Sequence, residues 1–116
     1  MGLEANLVYL EEEIGNLQER ISSIRHFLKA NPSSSIYRRR IGGRLYYYKK
    51  FRQGNKSISE FLGNEAINFK AASLKLKEEN EKIRRAKSQL LRINKEIIIL
   101  KRQARIVRKA FAHVRV

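Results

Sequence analysis

Apolar residues recur from Leu3 at Leu7, Leu10, Ile14, Leu17, Ile21, Ile24 and Leu28, in alternating steps of four and three. A period of about 3.5 residues keeps one stripe of a helix turned toward a partner helix, so the spacing predicts a coiled-coil helix over residues 3–30. Gly15 costs about 1 kcal/mol of helix propensity against Ala without breaking the stripe. The stop comes at Asn31-Pro32 and Ser33 to Ser35. Proline pushes the residue before it out of the α region and offers no N–H.

The period then shortens. Ile36 to Ile41, Arg44 to Arg52 and Lys56 to Leu62 are rich in Ile, Tyr and Phe and are divided by Gly42-Gly43 and Gly54-Asn55, which are hairpin signals. A three-stranded antiparallel meander over 36–62 follows. Two-residue turns would pair Arg39 with Tyr46 and Phe51 with Ile58, and set Tyr48 between Tyr37 and Phe61. One face would carry Arg39, Arg44, Tyr46, Tyr48, Lys50 and Arg52. The other would carry Ile36, Leu45, Tyr47, Phe51 and Ile58, with Arg38, Arg40, Lys49 and Glu60 at its margins, and is the face expected to pack on the helices.

Asn64 is a suitable N-cap for a last helix over 64–114. Its seam begins Leu62, Glu65, Phe69, Ala72, Leu76, Glu79 and Ile83, weakened by the two Glu. It continues without a miss through Ala86, Leu90, Ile93, Ile97, Leu100, Ala104, Val107, Phe111 and Val114. No Gly or Pro follows Gly63. One helix of about 50 residues, about 75 Å long, is expected.

The fold class is therefore mainly α: an antiparallel two-helix coiled coil with a β-meander at its tip and an extended basic C-terminal helix, in one domain. The helices are unequal. Equal distances from the tip would put Leu3 beside Lys87 to Leu91 and leave the seam beyond Ile93 uncovered. Each exposed Leu or Ile forgoes about 1.5–3 kcal/mol of burial. Ile93, Ile97, Leu100, Val107 and Phe111 accordingly form the candidate interface of a homo-oligomer, and the run Ile97 to Leu100 widens the stripe.

Charge adds a second constraint. The 116 residues carry a net charge of +15, concentrated in two blocks. Residues 32–61 hold 8 basic and 1 acidic side chains, and residues 84–116 hold 11 and 1, whereas 1–31 and 62–83 are close to neutral. Coiled-coil surfaces normally mix signs, because like charges a turn apart repel by a few tenths of a kcal/mol. An external polyanion would relieve this repulsion. Arginine and lysine neutralise phosphates and release counterions, while tyrosine rings offer stacking surfaces to unpaired bases. The candidate nucleic-acid contacts are Arg38, Arg39, Arg40, Arg44, Tyr46, Tyr48, Lys50 and Arg52 in the meander. Those on the last helix are Arg84, Arg85, Arg92, Lys95, Arg102, Arg105, Arg108 and Lys109, in a block that also includes Lys87, Lys101 and Arg115. The plainer account of Tyr46 to Tyr48 is that they are strand formers with amphipathic bodies.

Catalysis has no visible seat. There is no Asp and no Cys, Glu11 to Glu13 and Glu78, Glu79 and Glu81 lie on helices with no matching ligand, and His26 and His113 are isolated. Gly42-Gly43 lacks the surroundings of a phosphate loop. No metal or cofactor is expected. Neither is a membrane partner, since no apolar run approaches 18 to 20 residues and the acidic N-terminal region is unlike a signal peptide. A cytoplasmic location is the corresponding expectation.

The stretch Ser35 to Gly63, SIYRRRIGGRLYYYKKFRQGNKSISEFLG, resembles a tip found in short prokaryotic and mobile-element proteins. These share a helix, a G-x-x-YYY strand, a GGK or GNK turn, a YLG or FLG exit and a second helix. The likeness spans about a quarter of the chain and implies the β assignment. The architecture is also similar to beta-class prefoldin subunits, in which a β-hairpin joins two coiled-coil helices of comparable length with less basic tails. The functional expectation is a nucleic-acid-binding coiled coil, an accessory or inhibitor of a nucleoprotein complex. The alternative is an assembly module, chaperone-like or scaffolding, whose basic surface meets acidic proteins.

Overall fold

The computed structural model describes residues 2–64 and 68–114. Along the chain run α1 (Leu3–Ala30), β1 (Ser34–Ile41), β2 (Arg44–Gln53), β3 (Lys56–Asn64) and α2 (Phe69–Val114). Glu65 and Arg115, and the side chains of Leu3 and Val114, which the sequence reading placed in the seam or the basic block, lie outside what is described. The chain divides into two compact units, one of Met1–Phe27 with Lys87–Val116 and one of Leu28–Ala86.

In the second unit the turn chemistry sets the sheet. Gly42 and Gly43 both take positive φ (57° and 81°), as a type I′ turn requires, while Gly54 (63°) alone does so in the next turn, the type II′ pattern. The strands lie in the order β1-β2-β3, all antiparallel, so β1 and β3 are edges. The register is the one that two-residue turns dictate: Arg39 faces Tyr46, Tyr37 and Phe61 flank Tyr48, and Phe51 faces Ile58.

The exit from the sheet differs from expectation. Tyr48 faces Phe61 but Tyr47 faces Gly63, so Leu62 is an extra residue in a bulge, and β3 continues to Asn64, paired with Tyr46. Asn64 is therefore a strand residue and not the helix cap. The cap is Asn68, whose Oδ1 accepts from the Ala71 N–H at 3.1 Å and whose carbonyl accepts from Ala72 at 3.0 Å.

One face of the sheet lies on the first turns of α2. The ring of Tyr47 stacks on Phe69 with centroids 4.8 Å apart, and Lys49 Nζ lies 3.9 Å from Glu79 Oε2. At the start of β1, Ser34 N–H donates to Asn80 Oδ1 (3.2 Å) while Asn80 Nδ2 donates to the Ser34 carbonyl (2.9 Å). A side-chain amide thus pairs both backbone groups of one edge residue, as a neighbouring strand would.

The first unit is held by the apolar seam. Leu17, Ile21, Ile93 and Ile97 form its buried cluster, with Ile24, Leu90 and Leu100 packed against it. Ile14 and Ala104 are buried as well. Farther along, Arg108 Nη2 donates to Glu11 Oε1 at 2.8 Å. Residue numbers rise in α1 as they fall in α2, so the two stretches run in opposite directions. This corrects the expected alignment. In the second unit the sheet packs on the first turns of α2, and in the first unit α1 packs on the C-terminal half of that helix. The seam beyond Ile93 is not left bare: Ile93 and Ile97 are buried within the chain, and Leu100, Val107 and Phe111 are half-buried.

Gly15 sits inside α1, and a Cβ added there meets no heavy atom within 4 Å. Gly15→Ala removes backbone freedom from the unfolded chain without a clash, so it is expected to stabilise the protein by about 0.5–1 kcal/mol. Thermal unfolding followed by circular dichroism checks this, and a lowered midpoint contradicts it.

Candidate nucleic-acid interface

Side chains alternate across a strand, so the register decides which candidates share a face. Arg39, Arg44, Tyr46, Tyr48, Lys50 and Arg52 fall together on the face opposite α2. Arg38 and Arg40, opposite Tyr47 and Leu45, point to the other face. Arg38 and Arg40 are exposed, as are Arg39, Arg44, Lys50 and Arg52.

The outward face holds a row of rings. Tyr37 in β1 stacks on Tyr48 in β2 (5.3 Å, 17° between planes), and Tyr48 leans on Phe61 in β3 (5.7 Å, 59°). Tyr46 lies 6.1 Å from Phe61, and the Tyr37 hydroxyl donates to Ser59 Oγ at 3.0 Å. Tyr37 and Phe61 were not among the candidates; the turn-set register that places Tyr48 between them was the available signal. Offset aromatic pairs of this kind add about 0.5–1.5 kcal/mol each to the sheet. Among the described residues no carboxylate stands on this face, where Ser35, Ser57, Ser59 and Asn64 are the other polar residues.

On α2 the candidates separate into paired and unpaired cations. Arg84 and Arg85 both reach Glu81, one turn back, and Arg108 is held by Glu11. The hydrogen bond from Arg84, followed by the charges of Arg84, Arg85 and Lys77, holds the Glu81 carboxyl below the ordinary carboxylate range, and Arg84 is raised in return. A lowered carboxyl pKa means that this interaction is present above the ordinary carboxylate range and is lost as pH falls through the lowered value. Within 84–116 the one acid is Glu96, yet three arginines of the block pair with carboxylates outside it, Arg84 and Arg85 with Glu81 and Arg108 with Glu11 of α1.

Lys87, Arg92, Lys95, Lys101, Arg102, Arg105 and Lys109 have no carboxylate within 4 Å among the described residues. Lys95, Arg102 and Lys109 recur every seven residues and so line one stripe, with Leu91 and Ile98 exposed alongside.

Among the described residues no group of three His, Asp or Glu side chains is placed to hold a metal ion. No described helix is long and apolar enough to cross a membrane. No family model matches the chain, and neither a curated protein nor a solved structure matches it.

Proposed function

We propose that this protein is a non-enzymatic nucleic-acid-binding protein whose seam is wound as an antiparallel coiled coil and whose lysines and arginines contact phosphates. The observation that carries this reading is the set of seven α2 cations, Lys87 to Lys109, that find no carboxylate among the described residues. Folding alone does not account for them. Like charges on one helix destabilise it, and each phosphate they neutralise would release a counterion.

The test is a titration of the full chain against DNA and RNA over a range of salt concentrations. The logarithm of affinity is expected to fall linearly with the logarithm of salt, by about 0.7–0.9 per phosphate contact. Changing Lys95, Arg102 and Lys109 together to Glu is expected to abolish duplex binding. Arg108 is left alone because its loss would also unpair Glu11. A chain that binds no nucleic acid at low salt rejects the proposal.

A second reading, a module that assembles with an acidic protein, is favoured by Leu91, Ile98 and Ile106, which stand exposed among the same cations. An amphipathic helix bearing carboxylates would cover both kinds of side chain. Binding that tolerates salt and is lost on changing Ile98 and Ile106 to Ser selects this reading.

A further inference from the structure

The row Tyr37, Tyr48 and Phe61, with Tyr46 beside it, is more exposed than core aromatics: Phe61 is 58% exposed, on the face that turns away from α2. An exposed ring of this size forgoes burial, so a covering ligand is the natural complement. The same face fixes the ligand's charge, since Arg39, Arg44, Lys50 and Arg52 stand there with no carboxylate among the described residues. A second copy of the sheet would bring like charges together. A ligand with both anionic groups and flat π faces satisfies rings and cations at once.

We propose that this sheet face is a binding site for unpaired nucleotides, in which bases stack on the ring row while Arg39, Arg44, Lys50 and Arg52 take the phosphates. The proposal rests on the nucleic-acid reading above and names its substrate class as single strands. In a duplex the bases stack on one another and show only their edges in the grooves, so their faces are closed to protein rings. An unpaired strand has those faces open, and aromatic stacking accepts any base. Tyr37 and Tyr48 stack on one another and Phe61 stands tilted beside them at 58% exposed, so the outer side of the pair and the Phe61 ring are the surfaces a base would meet.

The chain supplies its own probe. It has no Trp and five Tyr, of which Tyr37, Tyr46, Tyr47 and Tyr48 are in the sheet and Tyr9 is in α1. Tyrosine emission therefore reports mainly on the sheet. The experiment titrates the full chain at low salt with poly(dT), poly(U), a mixed-sequence DNA duplex and inorganic polyphosphate.

Single strands are expected to quench the emission strongly and the duplex and polyphosphate weakly; the stronger of poly(dT) and poly(U) identifies the preferred sugar. Phe61→Leu and Tyr37→Leu, at exposed positions, are expected to weaken single-strand binding about tenfold each and leave duplex binding unchanged. Tyr37→Phe, which keeps the ring, is expected to bind as the parent does. Equal quenching by duplex and single strands, or unchanged single-strand affinity in folded Phe61→Leu, overturns the proposal while nucleic-acid binding stands. Absence of binding to every nucleic acid overturns both.

Discussion

Replacing Ile97 by Ala is expected to lower the unfolding free energy by about 2–5 kcal/mol, whereas Ile98→Ala is expected to change it by no more than about 0.5 kcal/mol. The two residues belong to one run, Ile97-Ile98-Ile99, and composition cannot tell them apart. Their surroundings can. Ile97 is 7% exposed and packs with Leu17, Ile21 and Ile93, while Ile98 is 59% exposed. Truncating the first removes transfer free energy and leaves a void between α1 and α2; truncating the second uncovers nothing and exchanges a β-branched residue for a better helix former. Urea unfolding of both variants decides the matter. Equal midpoints would mean that the seam is not the core.

The second large effect is expected at Asn80. Its carboxamide donates to and accepts from the backbone of Ser34. Asn80→Ala deprives both groups of their partner at a half-buried position, for an expected loss of about 1–3 kcal/mol. Asn80→Asp keeps the acceptor but sets a carboxylate oxygen against the Ser34 carbonyl, and is expected to cost at least as much. Amide hydrogen exchange is the local readout: the Ser34 N–H should exchange faster in both variants. Unaltered protection at Ser34 would show that the bidentate contact contributes nothing.

These two positions also mark how far the fold was legible in the sequence. Gly42-Gly43 and Gly54-Asn55 specify turns of known length, and a known length specifies register, so Arg39 opposite Tyr46 and Tyr48 between Tyr37 and Phe61 followed directly. The three-four spacing likewise identified Ile14, Leu17, Ile21, Ile83, Ile93, Ile97 and Ala104, all of them buried. Periodicity tells which side of a helix is covered and is silent on what covers it. The alignment of α1 was therefore misplaced along α2, and the supposed bare seam with it.

A clue lay at Glu79, which interrupts the apolar spacing because its neighbour is Lys49 of the sheet and not another helix. Asn80 beside it carried no readable signal, since its partner is backbone. The cap moved from Asn64 to Asn68 for a similar reason: a one-residue bulge leaves no distinctive mark in composition, yet it carries β3 on to Asn64. For the candidate interface, the charge pattern named the cations, but only the fold reveals that Arg84, Arg85 and Arg108 already have carboxylate companions.

The outer strand β1 has one further consequence. Its unpaired side, below the Asn80 clamp, would be an open template for another β1 to join in antiparallel fashion and for ribbons to grow. Arg38, Arg39 and Arg40 follow one another there, so two such borders meeting in that way would set guanidinium against guanidinium at close range. The side chains proposed to take phosphates would thereby also disfavour the zipping together of neighbouring molecules.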